Sequence, residues 1–143
     1  MKLKTQYPII ATSDLTETQL FYTLLGFETV HAGDDYLQLA WPGAPSIQIG
    51  FLRRGLPTMP LAFATEYRGG MFIGLEVADV DAAYAELKAK GIDICVEIRD
   101  ASWGQRHFAV MDPNGVTINI AMDLPKADAM FARRFQAMLQ HVA

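Results

Sequence analysis

"FIGLEVADVDAAYAELKAKGI", Phe72 to Ile92, is the stretch whose reading decides the fold. An apolar run comes first, then Asp79 in position to cap a helix. Val80, Ala83, Tyr84 and Leu87 follow at i, i+3, i+4 and i+7, one apolar stripe, and Gly91 stops the helix. The same layout has already occurred in "YPIIATSDLTETQLFYTLLGF", Tyr7 to Phe27. Asp14 corresponds to Asp79 and Gly26 to Gly91, both 65 residues apart (14 to 79, 26 to 91). In this first copy Thr16 with Gln19 can form a capping box, and Leu20, Phe21, Leu24 and Leu25 are expected on one helical face. Gly26 supplies the left-handed C-terminal residue. One unit is therefore written twice.

Each stripe needs a sheet to bury it, and each glycine is followed by three strand-like runs. These are "FETVHA", "DYLQLAW" and "SIQIGFL" in the first half, then "IDICVEI", "RHFAVMD" and "VTINIAM" in the second. Each unit reads βαβββ, with module one over 5–52 and module two over 71–122. The linker 53–70, "RRGLPTMPLAFATEYRGG", is punctuated by prolines and paired glycines. It is too apolar for solvent filler, so Met59, Leu61 and Phe63 are expected to cover a groove or a neighbouring subunit. The tail predicts an amphipathic helix over 124–141, with Pro125 near its start and Phe131, Phe135, Met138 and Val142 along one side. The expected whole is one α+β domain spanning 1–143.

Composition narrows the function. With 143 residues and 51% hydrophobic content, the chain can bury a core without staples. The formal charge is −4 and no block of Lys and Arg appears, which argues against nucleic acid or an anionic membrane as partner. Cys95 is the single cysteine, so an internal disulfide and a CxxC metal site are excluded; its apolar flanks predict a plain buried thiol. The N-terminal apolar run is too short for a signal peptide or a span, and a cytoplasmic protein is expected.

Two tandem βαβββ units, a "SDL…FY…LGF" start and a "WG…F…DPNG" turn resemble the vicinal oxygen chelate superfamily, which includes glyoxalase I, extradiol dioxygenases, fosfomycin resistance enzymes and bleomycin resistance proteins. The resemblance runs from Tyr7 to Met122. It implies curved mixed sheets around a shared cavity, often completed as a homodimer. In metal-dependent members, His and Glu project into the cavity from the first and last strands of each unit. Carried over, those positions fall on Tyr7 and Phe72, seven residues before each cap Asp, on Asn119, seven after Asp112, and on Gln48. None is a good ligand for a divalent ion, which wants imidazole, thiolate or carboxylate. His31, His107 and His141 have no spacing that aims two imidazoles at one point. No metal or other cofactor is expected.

Bleomycin resistance proteins lack the metal and sequester the drug, holding planar heteroaromatic rings against an aromatic near the "WG…F…DP.G" segment. Trp103, Gly104, Phe108, Asp112, Pro113 and Gly115 match that pattern. Trp103 reads either as a ligand contact or as a lid aromatic packed on its own sheet, and Trp41 as a core or interface anchor. Asp112 to Gly115 need only be a structural turn. Glu76 shares strand parity with Phe72 and should point to the same side, where it can meet a cation or simply reach water. His107 is either a strand histidine or a ligand contact.

The expected function is metal-independent binding of a small planar molecule, cationic or neutral, by Trp103, Phe72, Tyr7, Glu76, Asn119, Gln48 and His107. The rivals are a lyase or dioxygenase with a relocated metal, a metal-free isomerase using Glu76 or His107 as base, and a sensor or partner-binding domain.

Overall fold

The computed structural model describes residues 1–142, and for 126–132 the helical backbone alone. Two compact units emerge: Met1–Met71 with Met111–Val116, and Phe72–Val110 with the residues from Thr117 on.

In the first unit β1 (Ile9–Thr12), β2 (Glu28–Ala32), β3 (Tyr36–Trp41) and β4 (Ala44–Arg53) form a mixed sheet in the order β1-β4-β3-β2. Helix α1 (Leu15–Leu25) covers one face. Asp14 caps it by accepting from the Glu17 N–H at 2.8 Å, and Gly26 ends it in the left-handed region at φ 115°. The Thr16–Gln19 box does not form: Asp14 takes the cap two residues earlier, and Gln19 donates instead to the Thr29 hydroxyl. The buried stripe is also rotated from the expected one. Thr18, Tyr22 and Leu25 are buried while Leu20 and Leu24 are exposed. The reason is polar: the Thr18 hydroxyl bonds the Asp14 carbonyl and meets Thr12, and the Tyr22 hydroxyl donates to Asp112 at 2.9 Å.

Asp112 is buried and fully used. Its carboxylate accepts from the N–H groups of Asn114 and Val116, from Tyr22 and from the Asn114 side-chain amide. Burial, then the neighbouring carboxylate, pushes the Tyr22 hydroxyl far above its ordinary range. The DPNG turn is thus an anchored structural element, as its composition implied. Trp41 meets Phe27 edge-on at 5.2 Å and lies over Gly26, with 37% of its surface exposed.

The linker turns back on β1, the edge strand of this sheet. Gly55 N–H bonds the Phe63 carbonyl at 3.0 Å, and Arg54 pairs with Glu66 at 2.7 Å. A 3-10 turn (Leu61–Ala64) brings Phe63, with Tyr67, over a cleft of about 200 Å³ beside Ile9 and Ala11. Phe63 therefore covers a groove; Met59 and Leu61 are exposed.

In the second unit β5 (Phe72–Glu76), β6 (Ile94–Asp100), β7 (Gln105–Met111) and β8 (Thr117–Asp123) repeat the order as β5-β8-β7-β6. Asp79 caps α2 (Val80–Ala89) by accepting from the Ala82 N–H at 2.9 Å. The buried Val80 and Leu87 belong to the expected stripe, and Tyr84 meets Phe108 edge-on. Cys95, expected buried, is exposed: the period-two alternation of β6 turns Ile94, Val96 and Ile98 inward and the thiol between them outward. Helix α3 (Pro125–Val142) starts at Pro125 as expected and leaves Phe135, Met138, Leu139 and Val142 exposed. The Phe131 side chain lies outside the described residues.

Candidate functional site

Strand parity in the second sheet separates two faces. Ile118, Ile120, Phe108 and Val110 are buried on the side of α2. Arg106 shares that side, where it bonds Asp81 and Asp100; the guanidinium holds the Asp81 carboxyl below its usual range. The odd-numbered residues of β7 and β8 turn the other way.

On the face opposite α2, β5 runs parallel to β8, with Phe72 beside Thr117, Gly74 beside Asn119 and Glu76 beside Ala121. Next to β8 lies β7, in a hairpin closed by the bond from Asp112 N–H to Val116 C=O. Counting back from that bond sets Gln105 opposite Asp123, whose side chains do bond at 2.8 Å, and His107 opposite Ala121. Arg99 on β6 pairs with His107. Glu76, Ala121, His107 and Arg99 therefore form one row across four strands. At about 4.8 Å per strand, the Glu76 and His107 backbones stand ~10 Å apart with only an alanine methyl between them.

His107 is the unusual member of the row. It is 5% exposed, and its Nδ1 lies 2.8 Å from Asn119 Oδ1. A carbonyl oxygen can only accept, so Nδ1 carries the proton in the neutral ring and Nε2 is left with a lone pair. Nε2 is buried without a hydrogen-bond partner, the single such side-chain atom among the described residues. The Trp103 indole lies against the imidazole, ring centres 5.1 Å apart, while 59% exposed; its Nε1 donates to Gln105 Oε1 at 3.0 Å. Trp103 is thus a loop aromatic that rests on its own sheet and stays largely exposed. Phe72 is 71% exposed at the start of β5, and Glu76 is exposed at its end.

The first sheet's face opposite α1 is built from the same ladder and filled differently. Ile9 pairs with Gly50, and Gly50 with Gln38. Ile9 corresponds to Gly74 through the 65-residue repeat, so Gly50, not Gln48, is the counterpart of Asn119. Gln48 lies two residues before that position on β4, which is three residues longer than β8. Tyr36 bonds Gln38, Gln38 donates to Gln48 at 2.7 Å, and Gln48 donates to the Pro45 carbonyl. Tyr7 precedes β1 instead of lying in it, because Pro8 follows immediately and β1 begins only at Ile9. Burial, then the Tyr7 hydroxyl, raises the Tyr36 hydroxyl above its ordinary range.

The seven expected site residues thus divide between two faces. Phe72, Glu76, Trp103, His107 and Asn119 share the second sheet, and Tyr7 and Gln48 belong to the first unit. The structure adds Ala121 and Arg99, which no spacing rule singles out, and Gly50, whose meaning depends on register.

These residues do not fit a metal ion. Gly50 and Phe72 offer no donor, Asn119 spends its carbonyl on His107, and no cluster of three His, Cys, Asp or Glu exists among the described residues.

A tandem βαβββ chain with two β1-β4-β3-β2 sheets has the architecture of the vicinal oxygen chelate class. A model of the glyoxalase/bleomycin resistance protein/dioxygenase superfamily matches residues 4–120, and the chain belongs to that superfamily. Solved structures agree. A superfamily member from Sphaerobacter thermophilus DSM 20745 is similar at 25% identity and TM-score 0.67, covering 85% of this chain and 98% of that one. The bleomycin resistance determinant encoded on transposon Tn5 is similar at 19% identity and TM-score 0.64, over 85% and 98%. A bleomycin-binding protein complexed with bleomycin is similar at 19% and 0.62, over 85% and 99%. No curated protein matches the sequence significantly.

Proposed function

We propose that this protein binds and sequesters a small planar molecule, without a metal, on the face of its second sheet opposite α2. The observation that carries this reading is the buried, unpartnered Nε2 of His107 beneath the exposed indole of Trp103. Leaving a buried polar atom unpaired costs about 1–3 kcal/mol, a cost a fold avoids unless something else supplies the partner. Trp103 and Phe72 add apolar, stackable area, and good aromatic contacts contribute about 0.5–1.5 kcal/mol beyond burial. Sequestration needs no covalent step; it acts by mass action.

The similar bleomycin-binding and bleomycin resistance structures make that cationic drug the first probe. Titration of the protein with metal-free bleomycin in EDTA, followed by tryptophan fluorescence, is expected to show saturable quenching that Trp103→Ala abolishes and Trp41→Phe retains. Absence of saturation, or quenching untouched by Trp103→Ala, rejects the drug reading. The same proposal includes a homodimer, supported by the exposed stripe Phe135, Met138, Leu139 and Val142 on α3. Light scattering is expected to give twice the chain mass, and the chain mass for Leu139→Glu.

A further inference from the structure

Within the reading that this face binds a planar molecule, we infer that the ligand presents a donor edge: an amino-substituted heteroaromatic ring whose N–H groups reach His107 Nε2 and the Glu76 carboxylate together. The face leaves the His107 acceptor open and engages two of its nearby donors, while the Asn119 amide N–H groups beside it stay open. Trp103 Nε1–H is given to Gln105, and the Gln105 amide is given to Asp123. His107 spends its one N–H on Asn119. What remains at the centre of the row is the Nε2 lone pair, and at its end on β5 an exposed carboxylate, which is acceptor-only when ionised. Arg99, the row's cation, stands on the outer strand on the far side of His107. Between the two acceptors stands Ala121, 4% exposed, the smallest side chain of the row.

Nε2 has no contact with solvent, and the indole of Trp103 rests on the imidazole. A ligand therefore arrives as Trp103 swings off the imidazole, and the indole then closes on the ligand's plane. The Asn119 bond keeps the proton on Nδ1 meanwhile, so that Nε2 meets the ligand as an acceptor. A ring lacking N–H groups would leave that nitrogen buried and unpaired, which is the arrangement that discriminates most strongly between isosteres.

The test uses two bicycles of similar size, 2-aminobenzimidazole with its N–H edge and 2-methylbenzothiazole without one. Binding is read by Trp103 fluorescence and by the His107 imidazole ¹⁵N resonances. The donor compound is expected to bind at least tenfold tighter and to shift Nε2 with little change at Nδ1. His107→Leu should erase the preference, and His107→Gln, whose carbonyl accepts, should restore part of it. Glu76→Gln should weaken the donor compound severalfold and leave the other unchanged. Equal affinities, a preference that survives His107→Leu, or no binding of either bicycle would overturn the inference. Bleomycin binding without donor preference also overturns it while keeping sequestration; donor preference without bleomycin binding supports it and discards the drug.

Discussion

The two sheets carry the same strand order and the same ladder, yet the faces turned away from α1 and α2 are finished in opposite ways. On the first, Tyr36, Gln38, Gln48 and the Pro45 carbonyl hand hydrogen bonds along a chain that ends within the protein. On the second, the corresponding chain stops at a buried His107 Nε2 with nothing to bond. The difference starts from one position. Gly50 has no side chain, and the Tyr36 hydroxyl occupies the space a Cβ would need; at the counterpart, Asn119 projects from the strand and orients an imidazole. One copy of a duplicated unit can thus be completed by its own side chains while the other keeps a buried acceptor unpaired.

The strongest way to break this contrast is to write the second sheet's residue into the first. A Cβ at Gly50 would come 2.5 Å from the Tyr36 hydroxyl, so Gly50→Asn is expected to lower stability by about 2 kcal/mol, read by urea denaturation. An unchanged midpoint would show that Tyr36 gives way and that the first face is not filled as described.

His107→Leu probes the other side. Replacing the orphaned imidazole with an apolar side chain removes an unpaired buried atom, and the ligand-free protein should gain about 1 kcal/mol while losing any preference for the N–H-bearing bicycle. Loss of both stability and binding would mean that His107 is a structural residue.

A third outcome concerns the core that both faces rest on. Tyr22 keeps its proton in the folded state, whereas an unfolded tyrosine ionises near its ordinary value of 10.0. Above that pH the unfolded chain releases a proton that the folded chain retains, so stability falls as pH rises. Tyr22→Phe should lower neutral-pH stability by about 1 kcal/mol, through the lost bond to Asp112, and flatten the alkaline slope. Melting series at pH 7 to 11 on both proteins measure the two effects. The smallest effect is expected at Gly74, the partner of Asn119 in the ladder: with open space where its Cβ would stand, Gly74→Ala should change stability by no more than about 0.5 kcal/mol.

Cap residues, a helical stripe and a glycine stop depend on neighbours within a few positions, which is why Asp79, Val80, Leu87 and Gly91 could be read from the chain. The first helix was harder, since Thr18 and Tyr22 are buried by bonds to Thr12 and Asp112, the latter 90 residues from Tyr22. The candidate site shows the same division. Parity along "RHFAVM" separates His107 from Phe108, but only the hairpin register sets His107 two strands from Glu76 with Ala121 between.

The sequence by itself determined the duplication and the order of elements, because both are matters of residue type and local spacing. Only the tertiary structure decided that Gly50 stands where Asn119 does, that Cys95 faces outward, and that one imidazole nitrogen is buried unpaired. Those facts follow from strand register and from which side chains meet across it, and a shift of one residue would reverse every one of them.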